Sequence, residues 1–208
     1  MPRKMSDPSY RKTQWNHRYD SHIAPINHFV DKLRDLDRGE VPYVAPIYGG
    51  VNARLLSILR DPGPMTQSHS GSGFLSMEND DATAEKICNY YSDAGIDAKE
   101  ILPWNAYPWY INRAPKALEL EQSVEPLFEL INMLPRLRVV MLHGGSAKNI
   151  WKRLTKRYQN LELDRNLCVV ETYHTSNQAF WHKDPEVREQ RKEHLKNAFA
   201  VSSKVLSE

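Results

Sequence analysis

The chain has 208 residues, 40% of them hydrophobic, with 28 Lys and Arg against 26 Asp and Glu for a net charge of +2. That is enough apolar material for one sizeable core, and the near-neutral balance neither demands nor excludes a polyanionic partner, because a local basic face is invisible in the total. No apolar run approaches the ~20 residues of a membrane span, no hydrophobic stretch follows the basic residues at the N-terminus, and Cys88 and Cys168 lack the spacing of a zinc or iron–sulfur site, so a soluble, cytoplasmic protein with free thiols and no metal is expected.

Residues 1–20 are polar, and Arg3, Lys4, Arg11, Lys12 and Arg18 outweigh Asp7 and Asp20, which predicts a flexible basic arm ahead of one domain over 21–208. A helix follows over 25–37 with Ile26, Phe29, Val30 and Leu33 on its apolar face, then a strand over 53–60. After a long loop with Gly71 and Gly73, a helix over 82–94 ends at Gly95, and a short strand over 100–102 leads into an aromatic segment, 103–110. Helices over 124–134 and 147–158 flank a strand at 138–142; a last strand at 167–172 precedes a long polar helix over 185–205. Strands alternating with helices imply right-handed parallel crossovers, hence an α/β fold: a three-layer α/β/α sandwich with a central parallel sheet.

Four of these strands run directly into polar clusters: Asp61-Pro62-Gly63, Asn105, His143-Gly144-Gly145-Ser146 and His174-Thr175-Ser176. Ligands of open parallel sheets bind outside the carboxyl ends of the strands, so the four clusters are expected to meet in one cleft. The Gly144-Gly145 pair lacks the spacing of a phosphate loop and reads as a turn. The following helix carries Lys148, Lys152 and Lys156 at i, i+4 and i+8 beside Arg153 and Arg157, with no acid of its own to pair them. Both a solvated face and a stripe that contacts phosphates fit this pattern.

The segment RDPGPMTQSHSGSGFLS is the most specific, with a carboxylate at the strand end, a stiffening proline, and an aromatic ring thirteen residues on behind two glycines. It resembles the first motif of the uracil-DNA glycosylase superfamily, in whose uracil-specific members an Asp-Pro-Tyr precedes a phenylalanine at this spacing. Asn105 resembles the superfamily's base-reading asparagine, and Thr172-Tyr173-His174-Thr175-Ser176 its His-Pro-Ser loop with threonine for proline; the likeness spans about 51–199. It implies a monomeric, cofactor-free DNA glycosylase.

The chemistry agrees with the residue types. Base excision extrudes a nucleotide into a snug pocket, where Phe74 would stack on the base and Asn105, with donor and acceptor in one plane, would read its edge. Asp61 would stabilise the sugar cation and hold the water; His174 would donate to the developing oxyanion. Ser176, with Lys148 and Lys152, would hold phosphates, and Gln178, Phe180 or Trp181 would fill the vacated stack. Against the uracil-specific pattern, Gly63 replaces the tyrosine beside the base C5 position, which together with Pro62 leaves an open wall. A pyrimidine bearing a C5 group, such as the modified cytosines of phage DNA, is therefore the expected substrate, with a role in antiphage defence. Uracil repair is the alternative, and a catalytically inactive DNA-binding module on the same fold a second.

Overall fold

The computed structural model describes residues 2–36 and 38–208. Along the chain come α1 (Pro8–Asn16), α2 (Ala24–Arg34), β1 (Tyr43–Val44), β2 (Leu55–Leu59), β3 (Phe74–Leu75) and α3 (Ala82–Asp93). The second half adds β4 (Ile101–Asn105), α4 (Ala117–Gln122), α5 (Val124–Asn132), β5 (Val139–His143), α6 (Gly145–Arg157), α7 (Leu161–Asp164), β6 (Cys168–Thr172), α8 (Asn177–Phe180) and α9 (Pro185–Ser207). The helix expected over 25–37 stops at Arg34, and Asp37 lies outside the described residues. Among the described residues no helix is long and apolar enough to cross a membrane.

Four strands form an all-parallel sheet in the order β4-β2-β5-β6. The chain steps outward from β2 to β4, then crosses back to β5 and steps the other way to β6. Right-handed crossovers in opposite directions put their helices on opposite faces, so α3 and α6 sandwich the sheet between them. The reversal also opens a crevice beyond the carboxyl ends of β2 and β5. Side chains alternate along each strand, and the register aligns Ser57 with Pro103 and Met141. One face therefore carries Ser57, Leu59, Pro103, Asn105 and His143, and α3 and α9 pack over it, with Phe199 of α9 meeting Tyr91 at 4.8 Å and His143 at 6.0 Å between ring centroids. On the other face Trp104 stacks on Phe29 of α2 at 6.0 Å. These layers share one apolar core in which Leu55, Leu56, Ile58, Val139 and Val140 are fully buried. β4 is longer than the strand expected at 100–102; it tolerates Pro103 because it is an edge strand, with β2 as its sole neighbour.

The N-terminal segment differs from the expected loose arm. Asp7 caps α1 by accepting from the Ser9 N–H at 2.8 Å, and the segment docks onto the stretch after β3. The Met5 N–H donates to the Glu78 carbonyl at 2.9 Å, the Tyr10 hydroxyl donates to the Glu78 carboxylate at 2.6 Å, and Lys4 pairs with that carboxylate at 3.1 Å. Arg3 bridges Asp80 and Glu85, each at 2.8 Å, while Met5 is buried and Trp15 stands edge-on to Phe74 and Tyr43. The acids that neutralise these basic residues lie some 75 positions further along the chain, beyond any local balance of charge.

Candidate functional site

The crevice holds a cavity of about 760 Å³, into which all four strand-end clusters project. Asp61 follows β2, Asn105 ends β4, His143 ends β5 and His174 follows β6. β2, β4 and β5 are mostly apolar and buried, β6 less so, and the polar residues at their carboxyl ends are delivered to the same rim.

The Asp61 side chain is 1% exposed. One carboxylate oxygen accepts from the Arg60 guanidinium; the other, Oδ2, is buried without a hydrogen-bond partner among the described residues. Burial pushes its pKa above the ordinary value, and Arg60 with the Asn112 and Arg113 backbone amides pulls it back down. Asn105 is likewise buried, and its Oδ1 has no hydrogen-bond partner among the described residues. Two buried acceptors left bare at the mouth of one cavity are costly unless something outside the protein pairs with them.

His174 accepts from the Ser176 N–H at Nδ1, 3.1 Å away. Burial, with Arg60 nearby, lowers its pKa to about 4. The ring is therefore neutral at neutral pH, and since Nδ1 is an acceptor the proton sits on Nε2, which is left as a donor. Gly144 makes this placement possible: its φ is +85°, and a Cβ there would stand 3.2 Å from the Cβ of His174. Beneath the rim, His143 bonds through Nε2 to the Ser57 hydroxyl at 3.1 Å, and full burial depresses its pKa to about 3.

The remaining expected residues separate. Pro62, Gly63, Ser176 and Gln178 line the cavity. Gly63 has φ −81°, and a Cβ built on it meets nothing within 4 Å. Phe74 is fully buried and packed on Trp15 at 5.9 Å and Tyr43 at 6.4 Å, so it is no base-stacking face. Adjacent strand residues point to opposite sides, and it is Leu75 that faces the cavity. Gly71 serves the loop's own closure, since a Cβ there would sit 2.2 Å from the Met65 carbonyl oxygen. Phe180 is 8% exposed and belongs to the core, whereas Trp181 beside it is 73% exposed. On α6, Lys148 pairs with Glu171 at 3.0 Å, and Arg153 and Arg157 share Glu121 at 2.7 and 2.5 Å. The five cations are thus largely neutralised by acids on other elements; Lys152 and Lys156 pair with no acid among the described residues. Ser57, Arg60 and Tyr91 were not anticipated at the site, whereas His143 stands where its strand-end cluster was expected. Arg60 was signalled by its place beside Asp61.

No curated protein matches this sequence. The family model described as the uracil DNA glycosylase superfamily matches residues 46–200, the stretch that carries the sheet and every strand-end residue of the cavity. The chain therefore belongs to the uracil DNA glycosylase superfamily, a membership that implies a DNA glycosylase-type function on a DNA substrate.

Proposed function

We propose that this protein is a monofunctional DNA glycosylase that draws a pyrimidine nucleotide out of the DNA stack and hydrolyses its N-glycosidic bond, leaving an abasic site. The observation that carries this reading is the convergence of Asp61, Asn105 and His174 on one cavity, two of them with buried acceptors that lack partners among the described residues. As the bond breaks, the base becomes anionic and the sugar an oxocarbenium ion. The neutral His174 donates from Nε2 to the oxygen where charge develops, and a neutral donor needs no proton transfer to do so. The free Oδ2 of Asp61 stabilises the sugar cation and orients the water, whose oxygen bonds to C1′ and keeps one proton as the new hydroxyl, while the other passes to the carboxylate and from there neutralises the departed base anion. The Asn105 amide pairs with the edge of the base.

Ser176 and the first turn of α6 lie at the lip, where hydroxyl and backbone N–H groups suit a phosphate. Trp181, exposed two residues after Ala179 of the cavity lining, is the apolar side chain available to fill the vacated stack. The open space at Gly63 supports a pyrimidine with a C5 substituent, of the kind found in phage DNA, over plain uracil. The test is a panel of single- and double-stranded oligonucleotides, each with one uracil, thymine, cytosine or C5-modified pyrimidine, scored for abasic sites. Cleavage at a C5-modified base is expected; cleavage of uracil alone returns the protein to uracil repair, and no cleavage of any member rejects the glycosylase reading.

A further inference from the structure

The cavity does not end at the base-reading residues. Ile101, Pro103 and Asn105 share a face of β4 and all line it, so it extends four residues down the strand, about 13 Å at ~3.3 Å per residue. This inner part runs beneath α3, between Ile87 and Tyr91 on the helix and Ser57 on the sheet, with Leu75 and Met77 closing the side. A whole cavity of about 760 Å³ falls in the size range that takes a drug-sized ligand, well beyond a bare pyrimidine ring.

The inner part has its own polar groups. The Tyr91 hydroxyl belongs to a side chain 2% exposed and has no hydrogen-bond partner among the described residues. The Ser57 hydroxyl is close enough to perturb it without bonding to it, and is itself joined to His143 Nε2. Nδ1 of His143 has no close hydrogen-bond partner among the described residues, though the Tyr173 backbone lies near enough to act on the ring. These groups are all neutral, because burial holds His143 unprotonated and raises the Tyr91 phenol. No Lys, Arg, Asp or Glu joins them among the described residues that line this inner part, so it suits neither a phosphate nor an ammonium group.

We infer that the space beneath α3 is a second subsite, which takes a neutral, hydroxyl-bearing C5 substituent of the flipped pyrimidine and reads its hydroxyls with Tyr91 and the Ser57–His143 pair. The inference rests on the glycosylase reading. With the sugar at the mouth, the far end of the ring points inward; with Asn105 on the Watson–Crick edge, C5 is the ring position free to lead a chain deeper. Apolar walls from Ile87, Ile101 and Leu75 then cover the carbon chain, and the bare hydroxyl of Tyr91 finds the partner that the fold leaves out.

The test uses matched duplexes in uracil and cytosine series that carry hydrogen, 5-pentyl or 5-(dihydroxypentyl) at the ring, cleaved by the full-length protein and by Tyr91→Phe. The dihydroxypentyl base is expected to be the best substrate, and Tyr91→Phe to lower its kcat/KM by roughly 3- to 10-fold, the worth of one hydrogen bond, while the other two are unchanged. Tyr91→Phe removes a hydroxyl that has no partner, so its Tm is expected to hold or rise. Cleavage of unsubstituted bases alone overturns the subsite and leaves the glycosylase standing; no cleavage at all overturns both. Equal rates for the pentyl and dihydroxypentyl bases, or an equal loss on all three with Tyr91→Phe, also overturn it.

Discussion

Replacing Asp61 by asparagine keeps the size of a side chain that is 1% exposed and removes its charge. The Asn oxygen can still accept from Arg60, so the rim should keep its shape. The loss then falls on the transition state, where an amide in place of the free Oδ2 neither stabilises a sugar cation nor takes a proton from water. Groups that act this way are worth about 10²- to 10³-fold, or ~2.7–4 kcal/mol, in turnover. Stability should move the other way. Burial raises the folded pKa of Asp61 above its unfolded value, so the stability its protonated form carries is present below the unfolded pKa and lost as pH rises through the folded one. At neutral pH the ionised carboxylate therefore costs stability, and Asp61→Asn is expected to raise Tm while single-turnover cleavage collapses. A rate within about tenfold of wild type would refute the catalytic assignment. A fall in Tm would show that the carboxylate serves the fold.

His174 is neutral down to about pH 4, so kcat/KM is expected to climb through the carboxylate range as Asp61 ionises and to stay flat from pH 6 to 8; an inflection near 6.5 that vanishes in His174→Ala would contradict the neutral-donor role. Gly63 has φ −81° and open space around it, so Gly63→Ala should be silent, and Gly63→Tyr should cut cleavage of bulky C5-modified pyrimidines at least tenfold with plain pyrimidines spared; equal losses on both would remove Gly63 from substrate selection. Changing Lys152 and Lys156 together to Gln should flatten the slope of log affinity against log salt by about 1 to 2 units, and an unaltered slope would make α6 a solvated face. Trp181→Ala should weaken retention of the flipped state on duplex DNA more than cleavage of single strands, a difference that disappears if the side chain does not enter the stack.

The sheet and its rim were legible because each strand is rich in apolar residues and gives way to polar ones at its carboxyl end, and parallel topology alone carries Asp61, Asn105, His143 and His174 to one edge. Phe74 was misplaced for a reason internal to short strands. Whether Phe74 or its neighbour Leu75 faces the ligand depends on the parity of a two-residue ladder, and the ring that claims Phe74, Trp15, is distant in sequence. The α6 cations misled in the same way, since Glu121 and Glu171 lie on other elements. Tyr91 carries no local signal at all: on α3 it takes its place with Ala84, Ile87 and Cys88 as part of an ordinary buried stripe. α7 and α8 have four residues each, too few for a helical period to register.

The docking of the N-terminal segment on Glu78 has a consequence for how base preference can change. The stretch that Arg3, Lys4, Met5 and Tyr10 tie down includes Leu75, Met77 and Asn79, which form a wall of the cavity. A laboratory selection for altered base choice should therefore recover substitutions at Arg3 and Tyr10, ahead of the 46–200 body, alongside those at the rim itself.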